Sequence, residues 1–363
     1  MSRATIQVEL SSPYSVHVGP GVLAEVAREA SGHSSCAVLA DARASALHGA
    51  RLSGLEDAPR IEIEPGERSK SFAVLERALQ RMAELGLDRG SLLVTLGGGV
   101  ATDLGGLAAS LYMRGIDVVH APTTLLAQVD AAVGGKTAVD LPAGRNLAGT
   151  FHQPRAVYAD TQTLATLDEG ELRSGLGEVV KCALLGAEGL LELLEERAEA
   201  VLNREADALA AVVVACVRLK ARIVASDERE AGPRRALNLG HTFAHAIEHA
   251  AGYGRVAHGV AVAAGLGLAL EASRRLGKLD DQALPERAAR LLRRLGLPSS
   301  LAELRSAQEL EGARAHLDRG SLLAALAHDK KARGSEPVLV LPRSVGEPVL
   351  AAPGIAFLSD LLA

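Results

Sequence analysis

Over the first 160 residues, six short β-rich runs alternate with helical stretches, and this alternation restricts the fold more than any other feature of the chain. The runs are TIQVEL (5–10), CAVLAD (36–41), RIEIE (60–64), LLVTL (92–96), DVVHAP (117–122) and AVYAD (156–160). Between them the apolar period lengthens: Phe72, Leu75, Leu79 and Met82 fall at helical spacing before Gly86 ends the run. Such alternation predicts an open α/β sheet with crossover connections. After about residue 165 long Ala/Leu/Glu/Arg segments take over, broken by Gly and Pro, with one strand-like run, PVLVLP, at 337–342. The expected organisation is an α/β domain over 1–165 and a mostly α-helical domain over 166–363.

Composition narrows the partners. A net charge of −5 and an aromatic content of 2% with no Trp leave little to pair with phosphate backbones or stack on bases, so no nucleic-acid partner is expected. Cys36, Cys182 and Cys216 are scattered and form no CxxC pair, which points to a reducing compartment rather than a disulfide framework. MSRATIQVEL lacks the apolar stretch of a signal peptide, and the longest uncharged apolar run, GVAVAAGLGLAL at 259–270, is too short to span a bilayer. A cytoplasmic protein with no membrane partner is the expectation.

The motif LLVTLGGGVATDLGG (92–106) runs an apolar strand into three glycines and then a helix. Glycines let the backbone approach a pyrophosphate, and the helix start offers N–H groups to an anion. Read from Gly97, the dinucleotide fingerprint meets Thr102 where it wants its last glycine, so a plain strand–helix turn stays open. Asp41, after CAVLA, suits a ribose hydroxyl; Glu67 and Lys70 in PGERSK are further candidates at a strand end, each also readable as a solvated loop residue. The Gly-rich connection 122–154 carries Asp130, Lys136, Arg145 and Asn146, a mix suited to hydroxyls and anions. In GLGEVVKCALL, Glu178 and Lys181 stand one helical turn apart, which by itself describes an ordinary ion pair. Lys220, Arg234 and Asn238 precede LNLGHTFAHAIEH, where His241, His245 and His249 share one helix face. That face suits metal, acid–base chemistry or solvent; a zinc peptidase is disfavoured because Thr242 stands where the general base would be. His258 then opens an apolar helix.

Taken in order, GGGVATDLGG, YMRGI, PTTLLAQVDAAVGGKT, GRNLAGTFHQP, GLGEVVK, LNLGHTFAHAIE and HGVAVA, with DKKARG at 329–334, resemble the 3-dehydroquinate synthases of the sugar phosphate cyclase family. The resemblance implies an α/β NAD-binding domain followed by a helical metal- and substrate-binding domain. It implies that Glu178, His241 and His258 hold Zn2+ or Co2+, a set that leaves coordination positions open for two substrate hydroxyls. It implies NAD contacts by Asp41, Glu67, Lys70, Gly98, Gly99, Val100, Asp103, Thr123, Thr124, Lys136, Arg145 and Thr163. Lys136, Asn146, Lys220, Arg234, Asn238, His245 and one of Lys330 or Lys331 fall at substrate positions, and Asp130 and Lys181 at positions near the metal-bound hydroxyls. Arg114 falls where the family's arginine reaches into a neighbouring subunit, implying a homodimer with shared sites.

The implied reaction converts 3-deoxy-D-arabino-heptulosonate 7-phosphate to 3-dehydroquinate and phosphate in the shikimate pathway. It runs through transient oxidation by NAD, phosphate elimination, re-reduction and intramolecular aldol closure. Arg145 replaces a frequent Lys and Val260 a frequent Glu, so neighbouring cyclases (amino-dehydroquinate, 2-epi-5-epi-valiolone or 2-deoxy-scyllo-inosose synthases) are the near alternative. A glycerol-dehydrogenase-like metal-dependent oxidoreductase is the distant one. Lys220, Arg234, Asn238 and His245 favour the carboxylate-bearing substrate.

Overall fold

The computed structural model describes residues 3–307, 316–333 and 337–363, with side chains of 328–333 outside the description. The chain forms two compact units, Met1–Asp168 with Arg204–Arg229, and Glu169–Asn203 with Glu230–Ala363.

The first unit is built on a seven-stranded sheet. Its strands are β1 (Ala4–Val8), β2 (Tyr14–Gly19), β3 (Cys36–Asp41), β4 (Arg60–Ile63), β5 (Leu92–Gly97), β6 (Asp117–Pro122) and β9 (Ala156–Asp160), in the spatial order β1-β2-β9-β6-β5-β3-β4. Only β1 and β2 pair antiparallel; every other pair is parallel. The connection between β6 and β9 holds a separate antiparallel hairpin, β7 (Lys136–Leu141) and β8 (Gly144–Phe151).

Parallel strands covered on both faces read as unbroken apolar runs, and this sheet obeys that rule. Ala37 and Leu39 of β3 join one apolar layer with Leu93, Leu104 and Met82, while Val38 and Ala40 join the other with Leu92, Val94 and Leu96. Each fully buried leucine there contributes roughly 1.5–3 kcal/mol relative to exposure. Helix α1 (Phe72–Glu84), capped by the Ser71 hydroxyl, and helix α2 (Gly99–Leu111) cover the first layer. Asp160, fully buried at the end of β9, accepts the Gly21 and Gln162 N–H groups at 2.9 and 3.0 Å and fastens the β2 turn to the sheet.

The strand order turns back between β3 and β5, which is where open α/β sheets bind ligands. The expected strands at 36–41, 60–64, 92–96, 117–122 and 156–160 match those found within a residue, and the first is shorter than expected. Three features of the first unit differ from the sequence expectation, and in the second Glu347–Ala351 is a strand that was not expected. Tyr14–Gly19 is a strand, and so are both arms of the hairpin within the expected connection 122–154. The segment Arg204–Arg229, expected in the helical domain, belongs to the first unit. Its helix, Ala206–Ser226, packs against β1, β2 and the turn Ala127–Ala131, burying Leu209, Val212, Val213, Cys216 and Val217.

The second unit is helical, with one small hairpin, Leu339–Ser344 with Glu347–Ala351. Three helices matter for the site: α3 (Glu169–Leu184), α4 (His241–Ala251) and α5 (His258–Arg275). Glycines let them touch backbone to backbone. A Cβ on Gly177 would stand 2.0 Å from the Gly259 carbonyl oxygen, and one on Gly259 would stand 1.6 Å from that of Ser174. Gly265 meets Gly240 in the same way, at 2.3 Å. Among the described residues no helix is long and apolar enough to cross a membrane.

Candidate active site

In the first unit, fully buried β5 delivers the chain to Gly97 (φ +153), and α2 starts two residues later. A Cβ on Gly97 would stand 2.7 Å from Asp41 Oδ2, and one on Gly98 3.1 Å from the Thr124 methyl. The turn therefore passes between Asp41 and Thr124 with no room for side chains of its own. Gly98, the cap residue, offers no side-chain acceptor, so the first-turn N–H groups of a 13-residue helix face outward. Gly98, Gly99 and Val100 are half-buried. Asp41 caps the short helix Ala42–His48 by accepting the Ala44 N–H at 2.7 Å, which orients its other oxygen toward Gly97. The Thr123 N–H donates to the Gly97 carbonyl at 2.8 Å. Thr163 is also gathered here, but its buried hydroxyl lies within bonding reach of the Asp160 and Thr123 carbonyls and of Gln128 Nε2, so it serves the scaffold.

Beside the turn, the buried Lys70 ammonium pairs with Asp103 and with the Asn146 side-chain oxygen. Burial pulls that ammonium down, and Asp103 and Glu67 outweigh it, so Lys70 stays charged. Burial raises Glu67 above the usual carboxylate range, against Lys70 and Arg145; Arg145 lies 3.5 Å from its Oε1. Lys136 is exposed at the start of β7. Asp130 sits in a π-helical turn, Ala127–Ala131, a form enriched at functional sites, and takes the buried Lys220 ammonium at 2.6 Å. Arg114 is exposed, and both it (φ +71) and Met113 (φ +51) are left-handed.

In the second unit, Glu178 of α3 is fully buried and neither carboxylate oxygen has a hydrogen bond of ordinary geometry. Lys181, 1% exposed, lies against Oε2 as an ion pair. Oε1 stands 3.5 Å from His241 Nε2 and 3.4 Å from His258 Nε2. Among the described residues these three form the one group able to hold a metal ion, with donor atoms all within 4.8 Å of one another.

The other ring nitrogens are occupied. His241 Nδ1 is 3.2 Å from the Leu239 carbonyl, and His258 Nδ1 is 3.4 Å from the buried Glu248 carboxylate. A Nδ1–H donated to a carbonyl or carboxylate leaves the Nε2 lone pair for a metal, the usual support for a ligating imidazole. Burial and then Lys181 push His241 down to about 3, so it is neutral; burial raises Glu178, but the Lys181 ammonium holds it well below its ordinary value and ionised. Burial lowers His258, but Glu178 and Glu248 carry it up to about 10, so its Nε2 holds a proton that a bound ion would displace. One carboxylate and two imidazoles with open positions suit Zn2+ or Co2+. The residues present fit the ion.

His245 is exposed one turn along α4, its ring centroid 5.6 Å from that of His241 and 6.4 Å from that of His258. His249 instead meets the Tyr253 ring at 5.9 Å. Arg234 is 1% exposed in the turn Pro233–Asn238, and Asn238 donates to Glu230 at 2.7 Å. Lys330 and Lys331 fall on the helix Arg319–Arg333, but their side chains lie outside the described residues. The sequence reading missed Glu248 and Asp140. Glu248 stands seven residues after His241, at helical spacing, so the pattern that linked the histidines would have found it.

The chain matches the family models for the 3-dehydroquinate synthase N-terminal domain over residues 60–174 and C-terminal domain over residues 175–332. It is 45% identical to 3-dehydroquinate synthase from Caulobacter vibrioides over 93% of this chain and 92% of that protein. Among solved structures it is similar to 2-epi-5-epi-valiolone synthase from Streptomyces hygroscopicus subsp. jinggangensis 5008 with NAD+ and Zn2+ bound, at 30% identity and TM-score 0.83, covering 99% of this chain and 98% of that one. A 2-deoxy-scyllo-inosose synthase shares the fold at 24% identity and TM-score 0.86, covering 99% of each chain.

Proposed function

The chain belongs to the 3-dehydroquinate synthase family, and from that premise we propose that it converts 3-deoxy-D-arabino-heptulosonate 7-phosphate to 3-dehydroquinate and phosphate, acting as a carbon–oxygen lyase in the shikimate pathway. The observation that carries this reading is Glu178, a buried carboxylate lacking a normal hydrogen bond, with two imidazole Nε2 atoms turned toward it. Bound NAD would supply a reversible hydride acceptor, and bound Zn2+ or Co2+ a Lewis acid for the substrate hydroxyls. The NAD+ and Zn2+ bound by the valiolone synthase support both assignments.

Glu178, His241 and His258 hold the ion in this reading. Gly98, Gly99 and Val100 receive the cofactor's phosphates, with Asp41, Lys70, Asp103, Thr123 and Thr124 around them. Lys136, Asn146, Lys220, Arg234, Asn238, His245 and Lys330 neutralise or orient the substrate's carboxylate and phosphate, and Asp130 and Lys181 meet its hydroxyls. Identity of 45% to a 3-dehydroquinate synthase favours this substrate over those of the other cyclases, despite Arg145 and Val260. A biosynthetic role dependent on NAD supports a cytoplasmic setting.

Purified chain loaded with Zn2+ or Co2+, given the heptulosonate phosphate and trace NAD+, should release phosphate without accumulating NADH. NADH formed in step with phosphate would move the chain to the dehydrogenases.

A homodimer is part of the reading, with Arg114 serving the partner's site. Exposed Leu111 and Met113 beside Arg114 support an apolar contact there. Arg114→Ala and Glu178→Gln homodimers should both be inactive, and mixed dimers should recover activity; no recovery would confine Arg114 to its own chain.

A further inference from the structure

Lys70, Asp140 and Asn146 close a circuit of hydrogen bonds. The Asp140 N–H donates to the Lys70 carbonyl at 2.8 Å. The Asn146 N–H donates to Asp140 Oδ1 at 2.9 Å. The Lys70 ammonium returns to the Asn146 side-chain oxygen while it also pairs with Asp103. Asp140 Oδ2 lies 4.0 Å from Arg145 Nε, and a parallel bridge joins Ser71 to Asp140. Asn146 is held at φ +56, a left-handed conformation that costs a non-glycine residue energy unless its surroundings fix it.

We propose that Asp140 is a positioning residue for the cofactor site. Its carboxylate fixes the irregular start of β8 so that Asn146 reaches Lys70 and Arg145 lies beside Glu67. Without that acceptor the Asn146 N–H loses its partner, and the residue relaxes toward negative φ. The side-chain oxygen then leaves Lys70, whose ammonium swings fully onto Asp103 and away from the glycine turn. The circuit thus ties two groups read as cofactor contacts, Lys70 and Asp103, to one read as a substrate contact, Asn146. The inference rests on the reading of the glycine turn as an NAD site.

The test is calorimetric NAD+ binding to the metal-loaded chain, with thermal melting of each variant in the absence of NAD+. Asp140→Ala should weaken NAD+ about tenfold, whereas Asp140→Asn, whose amide oxygen accepts the same N–H, should stay within about twofold of the wild type. A merely structural Asp140 would lower the melting temperature and leave affinity intact. Should Asp140→Ala fail to fold, Asn146→Gly carries the test, because glycine accepts φ +56 but offers Lys70 nothing; it too should weaken NAD+ about tenfold. Affinity within about twofold of wild type in the alanine or the glycine variant overturns the role of Asp140 alone. A wild-type chain that binds no NAD+ overturns the NAD reading and this inference with it.

Discussion

In the first unit the groups that face a ligand at the glycine turn are main-chain ones, the N–H groups at the start of α2, with Asp41 and Thr124 on either side. In the second unit they are side chains: a buried carboxylate, a buried ammonium and two imidazoles brought together by three helices. The sheet unit buries His120 as a neutral group held by the Thr95 hydroxyl at 2.8 Å, and sets its buried ammonium groups, Lys70 and Lys220, on the less deeply buried carboxylates of Asp103 and Asp130. In the helical unit both partners are buried, Lys181 on Glu178, and the pair stands within the donor cluster itself. A main-chain site needs space and tolerates many side chains around it. A buried charged cluster needs every member, since removing one leaves another without compensation.

That contrast can be broken most directly at Glu178. Glu178→Gln should abolish metal retention and lower phosphate release on the order of a thousandfold, because the ion's contribution to the transition state is several kcal/mol. Metal analysis and turnover check it, and full metal occupancy in the variant would remove Glu178 from the ligand set. A smaller effect is expected at Gly97. Its Cβ would press on Asp41, so Gly97→Ala should weaken NAD+ by about ten- to a hundredfold while metal content stays normal. Loss of metal in that variant would mean that the two sites are not independent in composition.

The smallest effect concerns His120. Burial, and then His152, lower it to about 3 from an unfolded value of 6.5. Below 6.5 the unfolded chain takes a proton that the folded chain refuses, so this ring costs stability as pH falls through the window from 6.5 to about 3. At pH 5.5 the loss is about 1.4 kcal/mol. Urea unfolding at pH 7.5 and pH 5.5 should show wild type losing more stability than His120→Asn by that amount. Equal losses would mean that His120 is protonated in the fold.

How much of this the sequence disclosed follows from the same contrast. The central strands were readable because both faces are buried and Val, Leu and Ala follow one another without interruption. Tyr14–Gly19 escaped because Ser15 and His17 alternate with its apolar residues in a run too short to stand out beside a loop. The hairpin escaped because Pro142, Arg145 and Asn146 interrupt its pattern, and pairing supplies what propensity does not. The helix Ala206–Ser226 carries an ordinary apolar face, and periodicity says nothing of which unit that face will meet. Glycines announced the first-unit site. The second was legible only through the family resemblance, since Glu178, His241 and His258 are 80 residues apart from first to last and no spacing joins them. Asp140 was not legible, because it meets a neighbour that the chain brings up from elsewhere, Lys70; Glu248 was, since it continues the helical spacing of His241.

The contact of α3 with α5 carries a consequence for ion choice. With Gly177 against the Gly259 carbonyl and Gly259 against that of Ser174, main chain meets main chain, and no compressible side chain lies between the helices that bear Glu178 and His258. The gap between those two donors is therefore gauged by a rigid ruler. Zinc-like ions, with bonds of about 2.0–2.2 Å to nitrogen and oxygen, ask little of that ruler. Calcium, at about 2.3–2.6 Å and with six to eight oxygens to gather, would have to pry the helices apart. Radius would then count in the choice of ion beside the softness of the ligands.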